Sequence, residues 1–344
     1  MITICLEEIM AETRIIKKVF STEPYTDWHW NKLVEALGPG VEIVRTKHSD
    51  TQAVKEGIKD ADVAVLAGDI TREVLASAGN LKWVHCDHAG VNNSAHPEIF
   101  ERGIFLTSSS GRSAPVLAEH IFFLMLSLIY DSRALEQQQQ DHNWNNLYRE
   151  RKGLFTKTLG IIGMGYTGKA LAVRAKAFGM TILGYGRVPG SIPDGMDKMW
   201  YADKGDTIDA LLKESDIVVL TVRLSDGTYH LIDERALALM KPTAYLVNMA
   251  RGSVVDEGAL YKALVNKTIA MAASDVFETE PLPKESPLWD LPNFVITPHC
   301  TPEVPDLALN GLNIICENIK RYREGVPLLN CLAARDVYTK GAGK

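Results

Sequence analysis

Three polar side chains follow successive apolar runs in the C-terminal half of the sequence. Arg251 follows "AYLVNMA", Glu280 follows "MAASDVF", and His299 ends "NFVITPH". If these runs are parallel strands, their carboxyl ends share the sheet edge where α/β proteins bind ligands. A histidine there can deliver a proton near neutral pH, a neighbouring carboxylate fixes its tautomer, and a guanidinium polarises a carbonyl. Each residue alone fits a turn or loop role, but together they suit hydride transfer to a 2-keto acid, in which negative charge grows on the carbonyl oxygen.

A glycine-rich loop lies upstream of these residues. The stretch "GIIGMGYTGKA" carries Gly163, Gly165 and Gly168 in the spacing G-x-G-x-x-G, between a strand-like run and a helix-like run that closes at Gly179. In a dinucleotide site the first glycine permits a tight turn, the second lets a pyrophosphate approach, and the third lets the helix pack closely. The N-terminus of that helix offers N–H groups to the phosphates. The spacing alone is weak, but its context favours a dinucleotide cofactor over an ordinary turn.

The turn after the next strand indicates which dinucleotide binds. The run 181–185 ends where such sites usually carry an acid that accepts a hydrogen bond from the adenosine ribose. Here the chain has Gly186 and then Arg187. Gly186 removes the repulsion that an acid exerts on a 2′-phosphate, and Arg187 can bind that phosphate through paired donors. The sequence therefore predicts NADP(H) as the preferred cofactor, with NAD(H) as the alternative if Arg187 only points into solvent.

Alternating strand-like and helix-like segments must position these residues. Short runs rich in Val, Ile and aromatic residues recur at 2–6, 41–46, 61–68 and 81–87, with amphipathic segments between them. Six further apolar runs of strand length follow from residue 158 onward. This βαβ rhythm predicts an α/β fold with two doubly wound parallel-sheet domains.

Composition argues against several classes of function. The 344 residues carry 37 basic and 43 acidic side chains, a net charge of −6, and no basic stripe, so we expect no nucleic-acid partner. The most apolar run, 121–130, is too short to span a bilayer, and residues 1–10 lack the pattern of a signal peptide. The cysteines, none in a C-x-x-C pair, are Cys5, Cys86, Cys300, Cys316 and Cys331. We therefore expect a cytoplasmic protein with no membrane partner and no disulfide framework.

One cluster of metal-binding residue types stands apart from the site. The stretch "HCDH" places His85, Cys86, Asp87 and His88 in a row at the end of a strand-like run. Successive side chains of a strand point to opposite faces, so these four are not expected to converge on one ion. The sequence thus predicts no metal site.

Longer stretches of the sequence resemble one enzyme family. The segments "GIIGMGYTGKALAVRAKAFGM", "HLIDERALALMKPTAYLVNMARGSVVDEGAL", "DVFETEPLP" and "LPNFVITPH" match, in order, the pattern of the D-isomer-specific 2-hydroxyacid dehydrogenases. "AGVNN" and "VLAEHIFFLMLSL" resemble its first part, and the likeness covers about residues 70–340. It implies an NAD(P)-dependent homodimeric enzyme that reduces a 2-keto acid to a D-2-hydroxy acid. It also implies a Rossmann nucleotide domain beside a smaller, flavodoxin-like substrate domain.

The resemblance implies a role for each site residue. Arg251 binds and polarises the substrate, Glu280 orients His299, and His299 is the catalytic acid/base. Asp275 holds the nicotinamide carboxamide. The substrate carboxylate is bound by backbone N–H groups at Ala89, Gly90 and Val91. The implied cofactor contacts are Gly163, Met164, Gly165, Tyr166, Thr167, Gly168, Gly186, Arg187, Thr221, Val222, Met249, Ala250 and Asp275.

The family pattern also sets the expected domain boundaries. The substrate domain is discontinuous, at 1–106 and 303–344, and residues 107–302 form the nucleotide domain. The two chain crossings would act as a hinge that lets the cleft close over the substrate. The long helix that follows Pro115 would form much of the dimer interface.

The sequence departs from the family pattern in three places. The acid is absent at Gly186, and Val222 and Arg223 replace the common Pro-Leu. Pro302 follows His299 within "CTPE" and is expected to alter the path of that loop.

Two other functions stay open. One is a dinucleotide-sensing interaction protein, since a corepressor of this family keeps the same Arg, Glu and His. The other is a dehydrogenase of another small anion, such as formate or phosphite.

Overall fold

The computed structural model describes residues 14–145, 153–190, 192–301 and 303–340. It divides into two compact units, which are Met1–Arg112 with Pro305–Val337, and Ser113–Val304 with Tyr338–Lys344. Each unit contains one parallel sheet with helices around it. The predicted α/β fold with two parallel sheets is confirmed.

The strands are, in chain order, β1 (Lys18–Ser21), β2 (Glu42–Arg45), β3 (Val63–Leu66), β4 (Trp83–Cys86), β5 (Phe105–Ser108), β6 (Thr158–Ile162), β7 (Thr181–Gly186), β8 (Lys198–Tyr201), β9 (Ile217–Leu220), β10 (Tyr245–Asn248), β11 (Met271–Ser274) and β12 (Phe294–Ile296). The helices are α1 (Asp27–Leu37), α2 (Thr51–Ile58), α3 (Arg72–Ser77), α4 (Pro97–Glu101), α5 (Ala114–Tyr130), α6 (Ser132–Gln140), α7 (Tyr166–Ala177), α8 (Asp209–Glu214), α9 (Glu234–Leu239), α10 (Glu257–Val265) and α11 (Leu307–Arg323).

The first unit contains a five-stranded sheet in the order β2-β1-β3-β4-β5. Three of its strands lie where the sequence predicts them, and the predicted strand at 2–6 lies outside the described residues. Strands β1 and β5 are not predicted. In β1, Lys17 and Lys18 interrupt the apolar pattern. Its later residues Val19 and Phe20 are nevertheless fully buried. Lys18 is accommodated at the strand's start by an ion pair with Glu42 on the neighbouring strand.

The second unit contains a seven-stranded parallel sheet in the order β12-β11-β10-β9-β6-β7-β8. Six of these strands match the six predicted runs. The seventh, β8, lies at the sheet edge and is only partly buried, so it lacks a clear apolar signature. Strand β6 in the interior of this sheet, "TLGII", is buried over its last four residues. Strands β7 and β8 are added on one side of β6, and β9 to β12 are added on its other side. The boundary between β6 and β9 is therefore the switch point where doubly wound sheets bind ligands.

Helix α5 is apolar along most of its length and packs on α7 and on strands β10, β11 and β12 of the second unit. Pro115 stands in its first turn, where the missing backbone N–H is not needed. Within the described residues, no single helix is long and apolar enough to cross a membrane. Helices α5 and α6, bent by 63° at their junction, meet the length and composition test only as a pair.

The chain passes between the two units three times. The boundaries lie after Arg112, Val304 and Val337. The expected division differs from this, since it places all of 303–344 in the substrate domain. The third crossing arises because Val337 packs against the core of the first unit, whereas Tyr338 packs against a core of the second.

Candidate active site

The loop between β6 and α7 is shaped by its glycines. Gly163 has a φ of +112°, and a Cβ there would lie 2.6 Å from the backbone of Thr221 and Val222. The Thr221 hydroxyl donates a 2.7 Å hydrogen bond to the Gly163 carbonyl, which ties the loop to the end of β9. A Cβ on Gly168 would lie 2.2 Å from the same carbonyl oxygen, so this glycine lets α7 begin close to the strand. Only glycine fits at either position without displacing backbone.

Gly165 differs from these two glycines. A Cβ at this position would meet no atom within 4 Å. Gly165 precedes the first turn of α7, whose N–H groups form the positive end of the helix dipole. Packing does not require glycine here, but the approach of a phosphate does. The loop therefore fits the pyrophosphate of a nicotinamide dinucleotide, which would supply or accept the hydride when bound.

The turn after β7 contains the residues expected at the adenosine ribose. A Cβ on Gly186 would lie 3.5 Å from Met199 Cε, an ordinary contact distance, so packing does not explain the absent acid. Arg187 is exposed. Its carbonyl accepts a 3.0 Å hydrogen bond from the Asp203 backbone N–H. The role of Arg187 at a 2′-phosphate stays a prediction.

The turn after β10 holds Arg251. The Asn248 side chain bridges this turn: its Oδ1 accepts from the Ala250 N–H at 3.0 Å, and its Nδ2 donates to the Arg251 carbonyl at 3.1 Å. A Cβ on Gly252 would lie 1.8 Å from the Phe277 carbonyl carbon. The backbone of the Arg251 turn therefore lies directly against the loop that carries Glu280. The sequence pattern alone did not single out Asn248 or Gly252.

Glu280 and His299 form a hydrogen-bonded pair. Glu280 Oε2 lies 2.8 Å from His299 Nδ1, and Glu280 Oε1 accepts a 2.8 Å hydrogen bond from the Phe277 N–H. The carboxylate is thus held at both oxygens, and its Oε2 accepts a hydrogen bond from the Nδ1–H of His299. This leaves Nε2 as the ring nitrogen available for proton exchange with a ligand. The side chain of His299 is 52% exposed, which suits a group that must reach a substrate.

Asp275 shapes the loop that carries His299. It is 1% exposed, and its Oδ1 accepts from Thr297 Oγ1 at 2.7 Å and from the Cys300 N–H at 3.1 Å. Its carbonyl accepts from the His299 N–H at 2.9 Å. These bonds hold His299 at a φ of 51°, a left-handed conformation that a non-glycine residue adopts only when its surroundings enforce it.

The sequence did not reveal this framework, although Thr297 is a visible polar residue inside an apolar run. His120 on α5 adds to it, since His120 Nε2 lies 3.1 Å from Thr297 Oγ1. The expected contact of Asp275 with the nicotinamide carboxamide stays a prediction. Pro302 lies outside the described residues.

The loop expected to bind the substrate carboxylate belongs to the first unit. Ala89, Gly90 and Val91 follow β4, and the Ala89 carbonyl accepts a 3.3 Å hydrogen bond from Ser110 Oγ. Behind the loop, Asp87 pairs with Arg112 Nη1 at 3.0 Å. These contacts fix the backbone whose N–H groups are expected to bind a carboxylate.

The side chains before this loop separate onto two sides. On one side His85 Nε2 lies 3.0 Å from Ser109 Oγ, which also donates to Asp87. On the other side Cys86 and His88 lie with Asp69, and one ligand atom of each falls within 4.8 Å of the others. The alternation therefore separates the four residues as predicted, but it leaves a group of three metal-ligand types that includes Asp69.

Burial raises the pKa of the Cys86 thiol in that group to about 12. The sulfur is therefore protonated at neutral pH, and a thiol binds metal ions poorly compared with a thiolate. The absence of a metal site stays a prediction.

Comparison with known proteins adds to this geometry. The model of the family "D-isomer specific 2-hydroxyacid dehydrogenase, NAD binding domain" matches residues 122–301. A glyoxylate reductase of Korarchaeum cryptofilum is 35% identical, over 80% of this chain and 83% of its own. A glyoxylate reductase of Pyrococcus furiosus is 36% identical, over 90% of this chain and 93% of its own.

A solved structure is similar over both units. A D-isomer specific 2-hydroxyacid dehydrogenase from Xanthobacter autotrophicus, in complex with NADPH and MES, is 28% identical with a TM-score of 0.77. The match covers 93% of this chain and 98% of that one. By family model, by sequence and by fold, the chain belongs to the D-isomer specific 2-hydroxyacid dehydrogenases and is an NAD(P)-dependent oxidoreductase that interconverts 2-keto and 2-hydroxy acids.

Proposed function

We propose that this enzyme reduces a small 2-keto acid, with glyoxylate as the first candidate, to the D-2-hydroxy acid and that it prefers NADPH. The hydrogen-bonded pair of Glu280 and His299 carries this proposal. It lies on the loops after β11 and β12, and the Gly163 loop follows β6 of the same parallel sheet. Both curated relatives described above are named glyoxylate reductase.

Each residue of the site has one step in the proposed reaction. His299 donates a proton from Nε2 to the carbonyl oxygen as charge grows there, and Glu280 stabilises the resulting imidazolium ring. Arg251 binds the substrate carboxylate and polarises the carbonyl. Asp275 holds the nicotinamide carboxamide. The substrate carboxylate also binds the backbone N–H groups at Ala89, Gly90 and Val91.

The preference for NADPH is supported by the turn after β7. Gly186 introduces no carboxylate, and Arg187 next to it is an exposed guanidinium. Packing tolerates a Cβ at position 186, so an acid is not excluded there by the immediate neighbours. The Xanthobacter structure contains NADPH. A site that accepts a 2′-phosphate accounts for this choice of residues.

A homodimer is proposed from the surface of α5. Phe123 and Tyr130 on this helix are 56% and 57% exposed, and Val173 and Phe178, on and just after α7, are 55% and 44% exposed. Such aromatic side chains on neighbouring helices are typical of subunit interfaces.

A cytoplasmic location is proposed because the cysteines are far apart in the sequence and none forms a C-x-x-C pair.

A kinetic panel tests the function and the cofactor together. Glyoxylate, hydroxypyruvate, pyruvate and bulkier 2-keto acids are each offered with NADPH and with NADH, and the chirality of the product is determined. We expect turnover with at least one small keto acid and a higher kcat/KM with NADPH. His299→Ala should lower kcat by about 10²–10⁴-fold, since it removes the general acid, while NADPH binding is retained.

Arg187→Ala is the matched variant for the cofactor. It should lower kcat/KM with NADPH and leave that with NADH unchanged, because only NADPH carries the 2′-phosphate. An unchanged ratio of kcat/KM with NADPH to kcat/KM with NADH would refute the proposed role of Arg187. The proposed reaction would not be affected by that result. A protein that neither oxidises NADPH with any keto acid nor reduces NADP+ with formate or phosphite would instead favour a dinucleotide-sensing function.

A further inference from the structure

A second histidine–glutamate pair lies beside the proposed acid–base pair. His230 Nε2 lies 3.0 Å from Glu278 Oε1, and Glu278 is two residues before Glu280. His230 has a φ of 49°, so it too is held in a left-handed conformation. Its backbone N–H donates a 2.9 Å hydrogen bond to the Ser253 carbonyl, two residues beyond Arg251. His230 thus contacts the loops that carry both Arg251 and Glu280.

Glu278 is held by a reciprocal bond with Glu257. The Glu278 N–H donates to Glu257 Oε1 at 2.6 Å, and the Glu257 N–H donates to Glu278 Oε1 at 3.4 Å. Glu257 is the first residue of α10, where the helix dipole favours a carboxylate. His230 Nδ1 also lies 3.9 Å from Asp256 Oδ2. The His230 imidazole therefore links the carboxylates of Glu278 and Asp256 to the segment that precedes α9.

The C-terminal segment, defined as residues 338–340, reaches His230 through Tyr229. The Tyr229 ring stacks on the His230 ring with centroids 3.9 Å apart, and on the Tyr338 ring at 5.8 Å. Thr339 donates two 2.8 Å hydrogen bonds to Asp226, one from its backbone and one from its hydroxyl. This segment belongs to the second unit, although Val337 before it belongs to the first.

The contacts form one continuous series inside the second unit. It runs from Tyr338 through Tyr229 to His230, and from there through Glu278 to the loop of Glu280. Glu280 is anchored to the same loop by the Phe277 N–H at 2.8 Å. A displacement of Glu278 therefore moves the atoms that fix the Glu280 carboxylate. His299 depends on that carboxylate for its orientation.

We propose that His230 is a positioning residue for the Glu280–His299 pair and that the C-terminal segment holds His230 in place. This inference rests on the proposed role of His299 as proton donor. Loss of the His230–Glu278 bond leaves Glu278 without its side-chain donor and loosens the 277–280 loop. Proton transfer then slows, while the Gly163 loop continues to bind the dinucleotide, because its bonds lie elsewhere on the sheet.

The test compares His230→Ala with His230→Gln, whose amide can still donate to Glu278. We expect His230→Ala to lower kcat about 10–100-fold, as small misplacements of a reacting group do, with NADPH affinity within about twofold of the wild type. His230→Gln should recover most of the loss. The solvent deuterium isotope effect on kcat should increase in His230→Ala, because proton transfer becomes rate-limiting; a purely structural role would not change it.

A chain ending at Val337 tests the C-terminal segment. This truncation should lower kcat, as His230→Ala does. Combining the truncation with His230→Ala should lower kcat little further, since both changes act through one series of contacts. Tyr338→Ala replaces the truncation if that protein is unstable. Arg235→Ala, which breaks a surface ion pair with Asp209 in the same unit, is the control and should behave as the wild type.

The outcomes separate this inference from the proposed function. A wild-type protein that reduces no keto acid refutes the proposed function. An active wild type with His230→Ala at the same kcat and isotope effect overturns only the role of His230. A loss of NADPH binding equal to the loss of kcat overturns it as well, because His230 would then support the fold of the whole unit.

Discussion

Glu23 lies near Asp87 and Arg112 behind the carboxyl end of β1, in the first unit. It is 9% exposed, and its buried Oε1 has no hydrogen-bond partner among the described residues. Burial, with a smaller contribution from the Asp87 charge, raises the pKa of Glu23 to about 8, and Arg112 opposes this shift. Glu23 is therefore a neutral carboxyl group at neutral pH. At the scale of residues, the two acids differ in their environment: Glu23 is buried with an unpartnered oxygen, whereas Glu280 is partly exposed and paired with His299.

Glu23 should make the first unit less stable as the pH rises. Its pKa is 4.5 unfolded and about 8 folded, so the folded state binds the extra proton between these values and stability falls across that window. Glu23→Gln should remove the fall, worth roughly 2–3 kcal/mol between pH 6 and pH 8 at 1.36 kcal/mol per pH unit. Urea unfolding at pH 6 and pH 9 measures it.

The exposed Glu56 provides the control for this comparison, since Glu56→Gln should keep the wild-type pH dependence. If Glu23→Gln and the wild type lose stability in parallel between the two pH values, Glu23 is ionised in the folded protein and the prediction fails.

At the scale of elements, the site depends on how closely two loops approach each other. The Arg251 turn follows β10 and the Glu280 loop follows β11, and these strands are parallel neighbours in register. Gly252 allows direct backbone contact between the loops, because it has no Cβ to collide with Phe277. Asp275 fixes the next loop in the same way, through hydrogen bonds to Thr297 and Cys300 on the segment after β12.

Gly252→Ala should separate the two loops. The new Cβ would overlap the Phe277 backbone, which must shift, and we expect kcat/KM to fall about 10²-fold from the misplacement of Arg251 relative to His299. Steady-state kinetics with the best keto acid measures this. Gly153→Ala, where a Cβ meets no atom within 4 Å, should be neutral. Equal kinetics of the two variants would mean that the contact at Gly252 is not important for the site.

At the scale of the whole molecule, the chain divides into two units that it links three times. These links follow Arg112, Val304 and Val337. The third link places the C-terminal segment next to Tyr229, which stacks on His230. Residues 338–340 therefore pack in the unit that carries the proposed acid–base pair.

The proposed homodimer is tested on α5. Phe123→Asp puts a charge on the exposed apolar face of α5, and we expect the dimer to dissociate, as measured by light scattering coupled to gel filtration. Trp28→Asp, on a residue of α1 that is 57% exposed, serves as the matched control and should leave the dimer intact. A wild type with the mass of one chain, or a Phe123→Asp variant that stays dimeric, would contradict the proposed interface.

Local patterns in the sequence predicted much of this protein. The runs that became β6 and β9 are uninterrupted apolar segments, so their burial is visible without the fold. The spacing of Gly163, Gly165 and Gly168 depends on one loop only, and each glycine proved to have its own steric environment. Glu280 and His299 could be paired because both follow strands that end at one sheet edge. Strands with charged residues, such as β1 and β8, were missed because a lysine hides a local apolar pattern.

The sequence by itself determined the α/β class, the glycine loop and the residue types of the site, because each is encoded by near neighbours in the chain. Only the tertiary structure decided that Asp275 bonds to Thr297 and Cys300, that Gly252 touches Phe277, and that His230 bonds to Glu278 48 residues away. It also decided where the last segment packs. These contacts depend on which strands become neighbours in the sheet, and the folded chain sets that order through long-range packing.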